Sequence, residues 1–157
     1  MKAITLTQPW ATLVAIGAKR IETRSWSTSY RGPLAIHAAK GYPAEAARLC
    51  LKEPFLSVLE AAGLTQFGVW HPSNNDLPLG CVIATCELVG VDMFDRFIDD
   101  HKPMLWGKAG HVFELTEQER AFGDYSYGRY GLFLANVKLL PEPIPARGAL
   151  SLWEWQQ

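Results

Sequence analysis

The sequence predicts an α+β fold, a mixed barrel of five to six mostly antiparallel strands with flanking helices. Short segments with the apolar patterning of strands recur along the whole chain. Helical stretches are interspersed among them without the regular strand–helix–strand order of a parallel sheet. We see no internal repeat and no interdomain linker, so at 157 residues we expect a single domain over residues 1–157.

In the first half of the chain, apolar–polar alternation indicates the strands, and proline and glycine indicate the ends of helices. The predicted elements are a strand over 1–7, a helix from Pro9 to Gly17, strands over 19–26 and 34–39 that form a hairpin-like pair, and helices over 42–64 broken at Pro54.

In the second half, the clearest local signal is the sequence Thr116-x-x-Glu119, a capping box that begins a short helix. The predicted elements are a loop over 66–78 that could cover a cleft, a strand over 80–91, a short helix over 93–101, a strand over 112–115, the helix to Phe122, a strand over 130–139, an extended link over 141–145 and a last strand over 148–155.

The composition is that of an ordinary globular protein, with 48% apolar and 20% charged residues. No run of about 18 apolar residues is present, so we expect no membrane span. The first ten residues lack the apolar segment of a signal peptide, and we therefore expect a cytoplasmic protein.

The cysteines and histidines show none of the spacings typical of metal sites. Three cysteines argue against a disulfide framework, and Cys81 and Cys86 would point to opposite faces of the predicted strand. His37 is expected to line a core or a cleft. We expect no metal ion and no cofactor.

The net charge of −1 does not indicate a polyanion-binding protein, but charge is unevenly distributed along the chain. Residues 19–40 contain five cations and one acid, whereas residues 87–124 contain nine acids and four bases. Such segregation can steer an anionic ligand to one face, although it also arises by chance on solvated surfaces.

The motif Gly17-x-Lys19-x-x-Glu22-x-Arg24-x-Trp26 is the strongest candidate site. In a pleated strand Glu22, Arg24 and Trp26 share one face, and the arginine can hold the carboxylate by charge-assisted hydrogen bonds. Lys19 follows the turn and need not obey the alternation. The motif therefore predicts either a site for an anionic or planar polar ligand, or an ion pair that pins a strand.

The expected chemistry of the motif depends on the protonation of Lys19. A catalytic lysine must have a pKa lowered from about 10.4 toward about 7–8. Burial and neighbouring cations lower the pKa, whereas contact with Glu22 raises it. If Lys19 and Glu22 touch, the lysine is better suited to clamp an anion, and Glu22 to accept hydrogen bonds from a nucleobase.

Several segments together resemble the ASCH domain family. They are Leu-Thr-Gln-Pro-Trp-Ala over 6–11, the motif over 17–26, the turn Arg31-Gly32, the central strand over 79–91, and Pro-Ile-Pro-x-x-Gly over 143–148 followed by Leu152-Trp153. The resemblance covers essentially the whole chain. It implies a PUA-like β-barrel with a cleft floored by Lys19, Glu22 and Arg24, and it adds Gln8 to the expected ligand contacts.

The resemblance also implies function. Family members are associated with RNA binding, one branch is described as a ribonuclease, and another hydrolyses the amide of N4-acetylcytidine with a lysine, a threonine and a glutamate. Lys19 falls at the position of that lysine, and Glu22 stands at the position of the threonine. The segment 95–100, where the glutamate would fall, contains Asp99 and Asp100 instead.

We therefore expect binding of RNA or a nucleotide-like ligand, with Lys19 and Glu22 as the catalytic candidates if the protein is a hydrolase. Unpaired bases stack on aromatic side chains, and phosphates need cations. The candidates are Trp26, Tyr30 and Arg31 near the hairpin, Lys40 and Arg147 as outer phosphate contacts, and the loop with Tyr125, Tyr127, Arg129 and Tyr130 as rim packing or a second ligand wall. A protein-interaction module is a further alternative.

Overall fold

The computed structural model describes residues 1–64, 77–99, 104–107 and 112–156. The chain divides into two compact units. Unit 1 comprises Met1–Ala18, Pro33–Cys86 and Asn136–Gln157, and unit 2 comprises Lys19–Gly32 and Glu87–Ala135. The expectation of a single domain stays a prediction.

Strands and helices are interspersed as the sequence predicts, which confirms the α+β class. In chain order the elements are β1 (Lys2–Leu6), α1 (Trp10–Ala15), β2 (Ile21–Arg24), β3 (Gly32–Ala38), α2 (Ala44–Leu49), α3 (Phe55–Ala61), β4 (Cys81–Asp99), β5 (Met104–Gly107), β6 (Val112–Glu114), α4 (Glu117–Ala121), β7 (Tyr130–Pro145) and β8 (Leu152–Glu154). In the part of the chain that the structure describes, no helix is both long and apolar enough to cross a membrane.

Hydrogen bonds order six strands into a mixed sheet, β2-β7-β4-β3-β1-β8. Strand β1 runs parallel to β3 and antiparallel to β8, and β2 runs antiparallel to β7. Strand β5 lies off this path and pairs with β4 and β6. Six strands on the main path agree with the predicted five to six.

Each unit has its own apolar cluster. In unit 1, Ala3, Ala35, Val82 and Trp155 are buried together. In unit 2 the corresponding cluster is Ile21, Phe94, Leu115 and Tyr125, with Phe133 packed against it. Burial of these side chains supplies the main stabilisation of each unit.

The predicted hairpin between the second and third strands is wrong. Ile21 of β2 is opposite Phe133 of β7, whereas Leu34 of β3 is opposite Lys2 of β1. Strand β3 pairs with β4 on one edge and with β1 on the other, so no edge of β3 is left for β2, which pairs with β7. Proximity in sequence therefore did not determine the pairing of these strands.

The short helix predicted over 93–101 is also wrong, because β4 continues to Asp99. Phe94 is fully buried, its N–H donates to the Arg129 carbonyl, and its own carbonyl accepts from Gly128 N–H. Antiparallel pairing with β5 extends the strand further. Tertiary hydrogen bonding and burial thus override the local preference.

Several local predictions are confirmed. Gly17 has φ +77°, a left-handed conformation that suits glycine and ends α1. Two helices flank Pro54 in the predicted interval. Apart from Leu77 and Pro78, the predicted loop over 66–78 lies outside the described residues.

Candidate functional site

Four charged side chains of unit 2 come together at the start of β2: Lys19, Glu22, Arg24 and Glu119. We call them the Lys19 cluster. Three of them are nearly excluded from solvent, with relative exposures of 1% for Lys19, 8% for Glu22 and 7% for Glu119. Burial of this much charge is costly unless every group is paired, so the contacts decide what the cluster can do.

The ammonium of Lys19 is enclosed by acceptors. Its Nζ atom donates to the Ile21 carbonyl and lies 3.9 Å from Glu22 Oε2 and 4.0 Å from Glu119 Oε1. Burial lowers the pKa of Lys19, while the two carboxylates oppose that shift. The sequence left open whether Lys19 and Glu22 touch; here they form an ion pair, and Glu119 adds a second carboxylate.

Glu119 is the residue that sequence reasoning did not place in the site. Thr116 Oγ1 accepts from Glu119 N at 3.0 Å, which confirms the N-cap of α4. The Glu119 carboxylate accepts from the backbone N–H groups of Arg20, at 2.9 Å, and Ile21, at 3.1 Å. It therefore fixes the chain next to Lys19. The only sequence signal was the capping box, which gives the carboxylate a local role.

Arg24 links the buried part of the cluster to its surface. Its Nε atom lies 3.0 Å from Glu22 Oε1, and its guanidinium carbon lies 5.9 Å from the centre of a Trp26 ring. The Arg24 side chain is 26% exposed, compared with 10% for that of Glu22. Trp26 follows the end of β2 and is half-buried. The predicted Glu22–Arg24–Trp26 group is thus brought together.

The aromatic loop after α4 divides into buried and exposed parts. Tyr125 is buried and donates its hydroxyl to Glu119 Oε1 at 3.2 Å. Burial, together with the nearby carboxylate of Glu119, raises the pKa of Tyr125. Arg129 Nε lies 3.1 Å from Asp124 Oδ2, and Tyr127 is 76% exposed. Tyr125 therefore packs within the unit, whereas Tyr127 extends into solvent.

The remaining predicted contacts have separate surroundings. Gln8, in unit 1, is fully buried; its amide donates to the Pro78 carbonyl at 2.9 Å and accepts from Thr12 N at 3.1 Å. Arg31, in unit 2, is exposed and donates to two backbone carbonyls of its own turn. Lys40, in unit 1, is exposed. The ligand roles of these residues stay predictions.

Among the residues that the structure describes, no three histidine, cysteine or acidic side chains are grouped so that they could hold a metal ion. Of the segment over 95–100, Asp100 lies outside those residues. The expectation of no metal and no cofactor stays a prediction.

Two relatives match about half of the chain. Activating signal cointegrator 1 of Homo sapiens is 35% identical over 82 residues, which is 52% of this chain and 13% of that protein. Activating signal cointegrator 1 of Mus musculus is 34% identical over 86 residues, which is 55% of this chain and 13% of that protein. The matched part is thus a small fraction of each relative.

The family comparison covers more of the chain. The family model described as "ASCH domain" matches residues 4–134, an interval that contains most of β1, the Lys19 cluster and α4. This match confirms the resemblance seen in the sequence, and with it the PUA-like α+β barrel. The chain belongs to the ASCH domain family, a member of the PUA-like superfamily.

Proposed function

We propose that this chain binds single-stranded RNA, or a nucleotide-like ligand, at the exposed side of the Lys19 cluster. The observation that carries the proposal is the contact of Arg24 with both the Glu22 carboxylate and the Trp26 ring. Membership of the ASCH family supports it further.

The arrangement provides the two kinds of contact that unpaired bases need. Unpaired bases stack on aromatic rings and on guanidinium planes, which Trp26 and Arg24 provide. A carboxylate accepts hydrogen bonds from base amino and ring N–H groups, and Glu22 has two oxygens with spare lone pairs. Exposed Arg31 in the same unit is a candidate phosphate contact.

The motif suggested that Lys19 contacts the ligand directly, as an anion clamp. In this proposal Lys19 does not contact the ligand. At 1% exposure, with three acceptors around Nζ, it has little access to a ligand. Its role is to hold Glu22 and Glu119 in position. The site therefore presents the Glu22 carboxylate and Arg24 to a ligand. Lys19 lies buried behind them and stabilises the carboxylate.

Fluorescence anisotropy with a labelled single-stranded 10-mer RNA at two salt concentrations tests the proposal. Stacking is worth about 1–3 kcal/mol per base, so Trp26→Ala should raise the dissociation constant at least about fivefold. Arg24→Gln should weaken binding to a similar extent, and binding should weaken as salt rises.

Tyr127→Ala is the matched control, because it removes an exposed aromatic side chain from the same unit. It should leave the affinity nearly unchanged. Salt-insensitive binding, or equal affinity of the wild type and both site variants, would overturn the proposal. A loss with Tyr127→Ala alone would move the site to the aromatic loop.

A small hydrolase is the second candidate, favoured by the buried Lys19 with its lowered pKa beside two carboxylates. A lysine whose pKa is lowered gives up its proton more readily than a solvent-exposed lysine. In this second candidate function, Glu119 is the glutamate next to Lys19, at 4.0 Å from its Nζ atom, whereas the family resemblance pointed to the segment over 95–100. Incubation with N4-acetylcytidine and with single-stranded RNA, followed by chromatography, tests this. Turnover must disappear in Lys19→Met, and turnover that survives there indicates a contaminant.

A further inference from the structure

A cleft in unit 1 lies where the ends of β1 and β3 meet residues 79–80 and 145–150. Its volume is about 920 Å³. Small-molecule sites in proteins occupy roughly 300–1,000 Å³, so the cleft is large enough for a ligand. No residue of the Lys19 cluster lines it, and the function proposed above does not use it. We call it the unit 1 cleft.

The walls of the unit 1 cleft are tied together by backbone hydrogen bonds. Gly80 N donates to the Ala38 carbonyl at 2.9 Å, and Ala146 N donates to the Gly80 carbonyl at 3.1 Å. Three chain segments that are distant in sequence are thereby held at fixed spacing. The cleft is therefore preformed, which lowers the entropic cost of binding a ligand.

His37 positions the third wall. It is 2% exposed, and its Nε2 atom lies 3.1 Å from the Ala146 carbonyl. Because a carbonyl can only accept, Nε2 carries the proton. Gly148 crosses the same ring so closely that an added Cβ would lie 2.5 Å from His37 Cε1. The segment that carries Arg147 is thus held against the imidazole.

The lining of the cleft is positively charged. Lys40 and Arg147 are both exposed, and no aspartate or glutamate is found among the described residues that line the cleft. Within the described part of the chain, neither cation forms an ion pair, whereas Lys2 lies 2.7 Å from Glu154 and Arg129 lies 3.1 Å from Asp124. Unneutralised cations in a concave site concentrate anions there.

The rest of the lining is largely apolar. Leu79 is half-buried, and Leu150 is 93% exposed at the edge of the cleft. When a ligand covers a leucine this exposed, apolar surface is removed from water, which favours binding. The cleft therefore suits a ligand with a charged group at one end and a less polar body.

We propose that the unit 1 cleft binds a phosphate-bearing ligand of nucleotide type. The phosphate is held by Lys40 as a point charge and by Arg147 as a two-pronged donor, and the sugar and base lie against Leu79 and Leu150. The phosphate can belong to a free mononucleotide or to the backbone of RNA. This site is independent of the Lys19 cluster.

An NMR titration of the ¹⁵N-labelled chain tests the proposal with three probes: adenosine 5′-monophosphate, adenosine, and a decauridylate without terminal phosphates. Adenosine 5′-monophosphate should shift the amide signals of Lys40 and of residues 146–150, and adenosine should bind at least about tenfold more weakly. The double variant Lys40→Gln/Arg147→Gln should raise the dissociation constant of the monophosphate at least about tenfold. Both side chains are exposed, so the fold should be retained.

Arg48→Gln/Lys52→Gln is the matched control. It removes one exposed arginine and one exposed lysine from unit 1, away from the lining, and should bind the monophosphate within about twofold of the wild type.

Shifts with the monophosphate alone assign the site to a mononucleotide, and shifts with the decauridylate as well assign it to an RNA backbone; both outcomes support the proposal. Equal binding of adenosine, or no effect of the double variant, would overturn it. Shifts confined to residues 22–26 would overturn it while supporting the function proposed for the Lys19 cluster.

Discussion

At the scale of single residues, the candidate site depends on a charge that is almost completely removed from solvent. Lys19 is tolerated there because a carbonyl and two carboxylates surround its ammonium. Glu119 makes the largest number of these contacts. Besides lying next to Lys19, it accepts hydrogen bonds from two backbone N–H groups and from the Tyr125 hydroxyl. Neither residue can be replaced without leaving a buried polar group unpaired.

The variant Glu119→Gln should lower the free energy of unfolding by about 2–3 kcal/mol. An amide offers one acceptor oxygen instead of two, and it removes a charge that compensates Lys19. Urea unfolding measures the difference. The control Glu117→Gln makes the same chemical change at an exposed position of the same helix and should stay within about 0.5 kcal/mol of the wild type. Equal effects of the two variants would contradict the role given to Glu119.

His37 should make the stability depend on pH. Burial lowers the pKa of folded His37 below its ordinary 6.5, so the unfolded chain binds more protons around and below that pH. The free energy of unfolding should therefore fall as the pH drops from 7 to 5.5. His37→Gln can still donate to the Ala146 carbonyl and should lose this part of the dependence. Urea unfolding at pH 7.0, 6.0 and 5.5 is the measurement, and equal slopes in both proteins would contradict the prediction.

At the scale of elements, pairing and close packing decide what local preference leaves open. Strand β2 is only four residues long and is held by its register with β7. The sequence predicts a helix over 93–101, but the chain continues there as strand β4. The reason is that Phe94 is buried and its backbone is hydrogen-bonded. Gly131 of β7 allows that burial, since a side chain at this position would collide with the Phe94 ring.

The variant Gly131→Ala should test this packing. An added Cβ would lie 2.6 Å from Phe94 Cζ and 3.1 Å from Ile21 Cγ2, so the core must shift. We expect a loss of about 1–3 kcal/mol in the free energy of unfolding, measured with urea. In Gly41→Ala the new methyl group meets nothing within 4 Å, and that control should change little. A neutral Gly131→Ala would show that Phe94 has room to move.

At the scale of the whole molecule, strands β4 and β7 each run through both units. Each unit thus contains a part of both strands, joined to the other part by unbroken backbone. Both segments of uneven charge belong mainly to unit 2, which holds four of the five cations over residues 19–40 and the whole acid-rich interval 87–124.

We therefore expect the two units to unfold together. Hydrogen exchange measured by mass spectrometry along a urea series should give one midpoint for peptides from residues 1–18 and from residues 112–135. A single cooperative transition is usual for domains of this size. Two separated midpoints would contradict the single domain expected from the sequence.

Much of the candidate site was predictable because it is local in sequence. Lys19, Glu22, Arg24 and Trp26 lie within one short motif, and strand alternation correctly places Glu22 next to Arg24. The cap at Thr116 and the turn at Gly17 follow equally local rules. The resemblance to the ASCH family was carried by such segments, and the family model confirms it.

What the sequence could not reveal is what depends on distant chain segments meeting. Glu119 reaches Arg20 across 99 positions, and Ala146 reaches His37 across 109. No periodicity or capping rule encodes such contacts, because they follow from how the strands pair and which side chains are buried together. Local patterns thus determined the type and order of most elements. They also determined the part of the site that lies within one motif, namely Lys19, Glu22, Arg24 and Trp26. Tertiary packing alone decided the strand partners, the burial of Lys19 between two carboxylates, and the existence of the unit 1 cleft.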